Sequence, residues 1–123
     1  MNLILVFLGG GLGATARYGL QGFVYNITGA GFPYGTLVVN VLGSFLIGLL
    51  MTVFEDRFMV NPSLRVFLTI GILGGFTTFS SFSFETMALF RDGSVGLGIL
   101  NVASSVVMCL GATWLGIVVG KLF

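Results

Sequence analysis

The chain has 123 residues, of which 56% are hydrophobic and only 7% charged, with a formal net charge of +1, no histidine and one cysteine. A soluble domain carries about 25% charged residues, so this composition points to lipid as the solvent. The charge balance argues against a nucleic-acid partner. A lone cysteine argues against a disulfide framework or a Cys/His metal set, and four carboxylates without histidine give acid–base or metal-assisted catalysis little to work with. No G-x-x-x-x-G-K-[ST] run is present to hold a nucleotide.

Four stretches lack any ionised side chain: residues 1–16, 18–54, 66–84 and 93–120. A membrane-crossing helix needs about 20 mostly apolar residues. The second stretch is too long for one crossing, and Asn26, Thr28, Gly29, Gly31 and Pro33 mark a turn inside it. The sequence therefore predicts an all-α membrane protein, one transmembrane domain over residues 1–123 with helices near 2–25, 35–56, 63–90 and 95–121. Ala14-Thr15-Ala16 resembles a signal-peptidase site, but no basic segment precedes the apolar run and everything downstream is equally apolar, so the first helix is expected to be retained.

In the first helix Gly9, Gly10, Gly11 and Gly13 give a small face on which another helix can approach closely. Arg17 is the one cation clearly inside a helix, where charge is expensive and functional by default, unless it snorkels to the interface. The second helix places Thr36, Asn40, Ser44 and Gly48 four apart, hence on one face. Two readings of Asn40 stand: a clasp between helices, or a pair of N–H donors for an anion that has lost its water.

The third helix contains Gly74-Gly75-Phe76-Thr77-Thr78-Phe79-Ser80-Ser81-Phe82-Ser83-Phe84-Glu85, a run too polar and glycine-rich to face lipid; such backbone survives in a bilayer only where protein buries it or a cavity borders it. Thr77, Ser81 and Glu85 step by four, and Glu85 is expected to face Arg17 or to cap this stripe. Phe79 and Phe82 share a helix face, where their rings either pack or turn positive edges toward an anion. The fourth helix carries Asn101, Ser105, Cys109 and Thr113 four apart. These stripes serve as helix–helix glue or as a polar track, and such short helices enclose a pore only by oligomerising. With the N-terminus inside, Arg57, Arg65 and Lys121 are inner cations and Arg91 an outer one, a bias shallow enough to permit insertion in both orientations or in one.

Three runs together carry a resemblance. Gly9-Gly10-Gly11-Leu12-Gly13-Ala14-Thr15-Ala16-Arg17-Tyr18 is similar to G-G-x-x-G-A-x-x-R-[YW], Gly35-Thr36-Leu37-Val38-Val39-Asn40-Val41-Leu42-Gly43-Ser44-Phe45 to G-T-x-x-[VA]-N-x-x-G-x-F, and the third-helix run to G-G-x-T-T-F-S-T-F-S-x-E. By these the chain resembles the Fluc (CrcB) family of bacterial fluoride channels over its full length. The resemblance implies a passive fluoride channel of the cell membrane that exports fluoride, and an antiparallel, dual-topology homodimer with two pores and a structural Na+ at its interface. Pairing with a paralogue is the other arrangement known in such channels.

On that resemblance Phe79 and Phe82 line the pore with ring edges, Asn40 is the pore amide, and Ser80, Ser81 and Ser105 supply hydroxyls along the path. The third helix breaks at Gly74–Thr78, the carbonyls of Gly74 and Thr77 hold the Na+, and Arg17 shapes a positive vestibule. Two adjacent glycines followed by two β-branched threonines are a poor helix interior, which fits such a break. The chain departs from the family pattern at Ser81, where threonine is common, at Asn101, where many relatives have tyrosine, and at Cys109, a place that can be serine. A proton-coupled multidrug exporter is disfavoured because the first helix offers Arg17 and no acid. A non-transporting assembly subunit would leave the hydroxyl and aromatic run unexplained.

Overall fold

The long apolar runs become four membrane-length helical spans, Asn2–Thr28, Tyr34–Glu55, Pro62–Arg91 and Val95–Gly120, in the computed structural model, which describes residues 1–56 and 60–123. Arg57, counted above among the inner cations, lies outside the described residues. Every regular element among the described residues is helical.

Helix α1 (Asn2–Thr28) ends where Gly29 takes φ 76° and ψ −177°, a region open only to glycine, and sends its N–H to the Tyr25 carbonyl at 2.8 Å. A buried Phe32-Pro33 corner leads into α2 (Tyr34–Asp56). The third span is segmented. Asn61 caps α3 (Pro62–Val66) by accepting the Ser63 N–H at 2.8 Å, with proline at the first turn where its missing donor costs nothing. A π-helical stretch (Phe67–Leu73) follows, then α4 (Gly74–Phe76), two extended residues, and α5 (Phe79–Arg91). The tight turn at Gly93, φ 84°, leads to α6 (Val95–Gly120).

The break is shorter than the sequence predicts. Gly74, Gly75 and Phe76 stay helical, and only Thr77 (φ −89°, ψ 157°) and Thr78 (φ −149°, ψ 120°) are extended. Gly75 remains in the helix because its bare backbone lies against Gly10 of α1, where a Cβ would come 2.5 Å from the Gly10 carbonyl oxygen. The β-branched threonines, less at ease in a helix, take the extended conformation instead. A consequence is that Thr77, Ser81 and Glu85 do not form one helical stripe: the count by fours runs across the break.

Packing follows the small residues. α1 lies against the π-helical stretch and α4, and a side chain at Gly13 would overlap the Ile72 carbonyl. α2 and α6 form the most extensive pair; Gly48 leaves room for the Thr113 backbone, Gly116 for that of Phe45, and the Thr113 hydroxyl donates to the Ser44 carbonyl at 3.1 Å. With lipid as apolar as leucine, such close backbone contact is what membrane helices gain by associating. The outer faces carry large exposed apolar side chains such as Phe7, Phe23, Val107 and Leu110. Water would drive patches of that extent together; lipid does not.

Replacing Gly116 by valine should therefore destabilise the α2–α6 pair by about 2 kcal/mol or more, as overpacked backbone contacts do. The thermal melt of the purified protein in detergent should drop for Gly116→Val and hold for Gly31→Ala, where a Cβ meets open space. Equal melts would show that α2 and α6 do not cross there.

Candidate functional site

A continuous helix would send the Thr78 N–H to the Gly74 carbonyl and the Ser81 N–H to that of Thr77. The break redirects both. The Thr78 N–H donates to Asn40 Oδ1 at 2.8 Å, while Asn40 Nδ2 donates to the Thr78 carbonyl at 2.9 Å. One side-chain amide thus pairs both polar groups of the residue at the kink. Thr78 in turn caps α5, its Oγ1 accepting the Ser81 N–H at 3.1 Å and lying 3.2 Å from the Ser80 hydroxyl. The Thr77 hydroxyl and N–H both donate to the Leu73 carbonyl, each at 3.1 Å.

Arg17 closes the other side. Its Nε donates to the Gly75 carbonyl at 3.1 Å, the acceptor that the Phe79 N–H would fill in an unbroken helix. Arg17 neither snorkels nor pairs with Glu85. That carboxylate is held instead by two short bonds of 2.6 Å, Tyr25 Oη to Oε2 and Thr36 Oγ1 to Oε1, and Gln21 Nε2 donates to Thr36 Oγ1 at 3.0 Å. Gln21 and Tyr25 escaped the sequence reading. Their signal was there: Arg17, Gln21 and Tyr25 step by four along one face of α1.

Beside the break lies a cavity of about 480 Å³. Asn40, Thr77, Thr78 and Ser105 give it polar groups, Phe79 and Phe82 an aromatic wall, and Ile47, Leu73 and Val106 an apolar remainder that Cys109 joins. The two rings stand 5.2 Å apart and tilted by 50°, within the range of aromatic pairs that meet edge toward face. Phe82 is buried, at 9% exposure, whereas Phe79 is 77% exposed. Of the predicted site residues, Asn40, Gly74, Thr77, Phe79, Phe82 and Ser105 meet at this cavity. Ser80 and Ser81 do not line it; they belong to the first turn of α5 and serve the Thr78 cap. Arg17 acts at the back of the break.

The site is therefore electrically neutral at its lining and rich in groups that can donate. Asn40 is a clasp and retains one Nδ2 hydrogen not spent on Thr78. Ser105 has a rotatable hydroxyl. The ring pair offers positive edges. Among the described residues no group of three or more His, Cys, Asp or Glu could hold a metal.

Residues 4–117 match the family model described as CrcB-like protein, Camphor Resistance (CrcB). The chain is 52% identical over 120 residues to the fluoride-specific ion channel FluC of Citrifermentans bemidjiense, covering 98% of this chain and 97% of the relative. It is 51% identical over 122 residues to the FluC of Magnetococcus marinus, with 99% of each covered, and 47% identical over 122 residues to that of Coxiella burnetii, with 98% of each covered. Four membrane-length spans, a helix broken beside an asparagine and matches running nearly end to end agree: the chain belongs to the CrcB family.

Proposed function

We propose that this protein is a passive fluoride channel of a bacterial membrane, and that the cavity beside the helix break is part of the ion's path. The observation that carries the reading is the lining itself, in a chain about half identical to proteins named fluoride-specific channels. Fluoride is small and holds its water tightly. A path must replace that water with donors, yet bind weakly enough to let the ion leave. An amide N–H, a hydroxyl and phenyl edges meet both demands; a lysine or arginine pointing into the cavity would trap the ion. Arg17, bonded to a carbonyl rather than aimed into the cavity, biases the approach toward anions from a distance. Nothing in the lining couples flow to an energy source, so fluoride would run down its gradient and out of the cell.

The cavity is open on one side, and Phe79 projects from that rim. A second copy of the chain supplies the missing wall in this reading, in antiparallel orientation and with two pores. The sparse cations support both insertions: Arg65 and Lys121 fall toward one side of the membrane and Arg91 toward the other. A structural Na+ fits the break. The carbonyls of Gly74 and Thr77 are those whose helical donors Asn40 and Thr78 have taken, and hard oxygen ligands suit a hard monovalent ion. The Thr78 hydroxyl does not compete for them, being engaged at the α5 cap. Two such breaks, one from each subunit, would hold the ion between the pores and lock the pair together.

Liposomes containing the purified protein should release fluoride and retain chloride. Phe79→Ile and Phe82→Ile should each slow the release by about tenfold, the factor that ~1.4 kcal/mol of lost stabilisation produces, since isoleucine keeps bulk and lacks the ring edge. Equal release of both halides, or none of either, would sink the proposal; unaltered rates in both variants would reduce the rings to packing.

The assembly makes its own claim. Tags at the C-terminus should react from both sides of the membrane, and exchanging Na+ for N-methylglucamine during purification should loosen the dimer. One-sided tags in a conducting protein would refute the antiparallel arrangement, and a dimer indifferent to the exchange would refute the ion.

A further inference from the structure

We propose that Asn101 is a positioning residue for the cavity, tying the helical turn that bears Phe82 and the hydroxyl of Ser105 to a single buried amide. This rests on the ion-path reading and extends it to the fourth span. Asn101 is 1% exposed, with Val39 one of the two largest fully buried side chains among the described residues. An amide that far from solvent must be paired, and its partners are fixed in number.

Those partners form a relay. Asn101 Nδ2 donates to Thr86 Oγ1 at 2.8 Å, and that hydroxyl donates to the Phe82 carbonyl at 2.7 Å. Thr86 is itself buried. A threonine bonding one turn back is common in helices, but here its lone pair is taken by a residue of α6, so the α5 turn carrying the buried ring is pinned across the helix pair. At its other end the amide accepts from Ser105 Oγ, at 3.5 Å. That bond is long, and Ser105 lines the cavity. Asn101 Oδ1 therefore holds the Ser105 hydroxyl only loosely and leaves it able to turn toward an anion that arrives. Asn101 thus sets both the pose of the ring and the resting direction of the hydroxyl.

The test needs a readout of the ring that does not depend on conduction. With 4-fluorophenylalanine at position 82 of the full chain in detergent, the 19F resonance reports that ring's surroundings; fluoride release from liposomes is measured in parallel on the unlabelled variants. Thr86→Val keeps side-chain shape and removes the hydroxyl, and Asn101→Leu removes the amide. Each is expected to shift or broaden the resonance and to slow release by about five- to tenfold, the scale of one buried hydrogen bond. Thr86→Ser, which restores the hydroxyl, is expected to bring both back. A resonance that Thr86→Val leaves unmoved overturns the proposal, even if release falls. A resonance that responds in a protein releasing no fluoride upholds the positioning role and overturns the fluoride reading instead.

Discussion

Backbone that leaves a helix inside a membrane must find partners in protein, because lipid supplies none. At Thr78 the freed N–H and the carbonyl of the same residue are both met by one side chain, that of Asn40, in a pair of bonds of 2.8 and 2.9 Å. Much of the site follows from this. With the amide holding Thr78 extended, α5 restarts from a Thr78 cap and presents Phe79 and Phe82 to the cavity at a new angular phase. Arg17 then fills the acceptor at Gly75. Each bond is worth only about 1 kcal/mol net, but an unmade one in this setting costs more than a made one gains.

The surrounding helices exist to bring these few groups into reach. Glycine does most of this. Gly9 and Gly13 admit the backbone of the π-helical stretch, Gly75 meets Gly10, and Gly43 leaves the space that the Thr77 methyl occupies. Side chains at such positions would hold α1 and α2 away from the third span, and Asn40 would not reach Thr78. The buried polar groups are likewise satisfied among themselves: no buried side-chain nitrogen or oxygen among the described residues lacks a partner. Glu85 illustrates how a carboxylate is tolerated in this setting, by two hydroxyl donors rather than by a counter-charge.

The spans were legible because membrane thickness sets a length that the charge-free stretches reveal directly. The break was legible in kind, from two glycines and two threonines in sequence, but not in extent. Whether Gly75 stays helical depends on Gly10 across the interface, which no local pattern states. Ser80 and Ser81 were expected along the path from the family resemblance alone; in the structure they sit in the first turn of α5 at the Thr78 cap and do not line the cavity. The π-helical stretch depends on register against α1 and left no trace in the periodicity. Glu85 was expected to face Arg17 or to cap the polar stripe; the observed partners, Tyr25 and Thr36, are hydroxyls, and nothing in a sequence ranks a short hydroxyl bond above an opposite charge before distances are known. Asn40 left two readings open, and the structure gives it the clasp with one donor to spare.

The account depends most on the amide at the kink, and hydrogen exchange reads it directly. In the reconstituted protein the Thr78 amide proton should exchange slowly, as a buried and paired group does. In Asn40→Ala its exchange should accelerate by about tenfold or more, given the value of one buried hydrogen bond, while amides in the middle of α6 keep their protection. Equal protection of Thr78 in the two proteins would mean that something other than Asn40 holds the break.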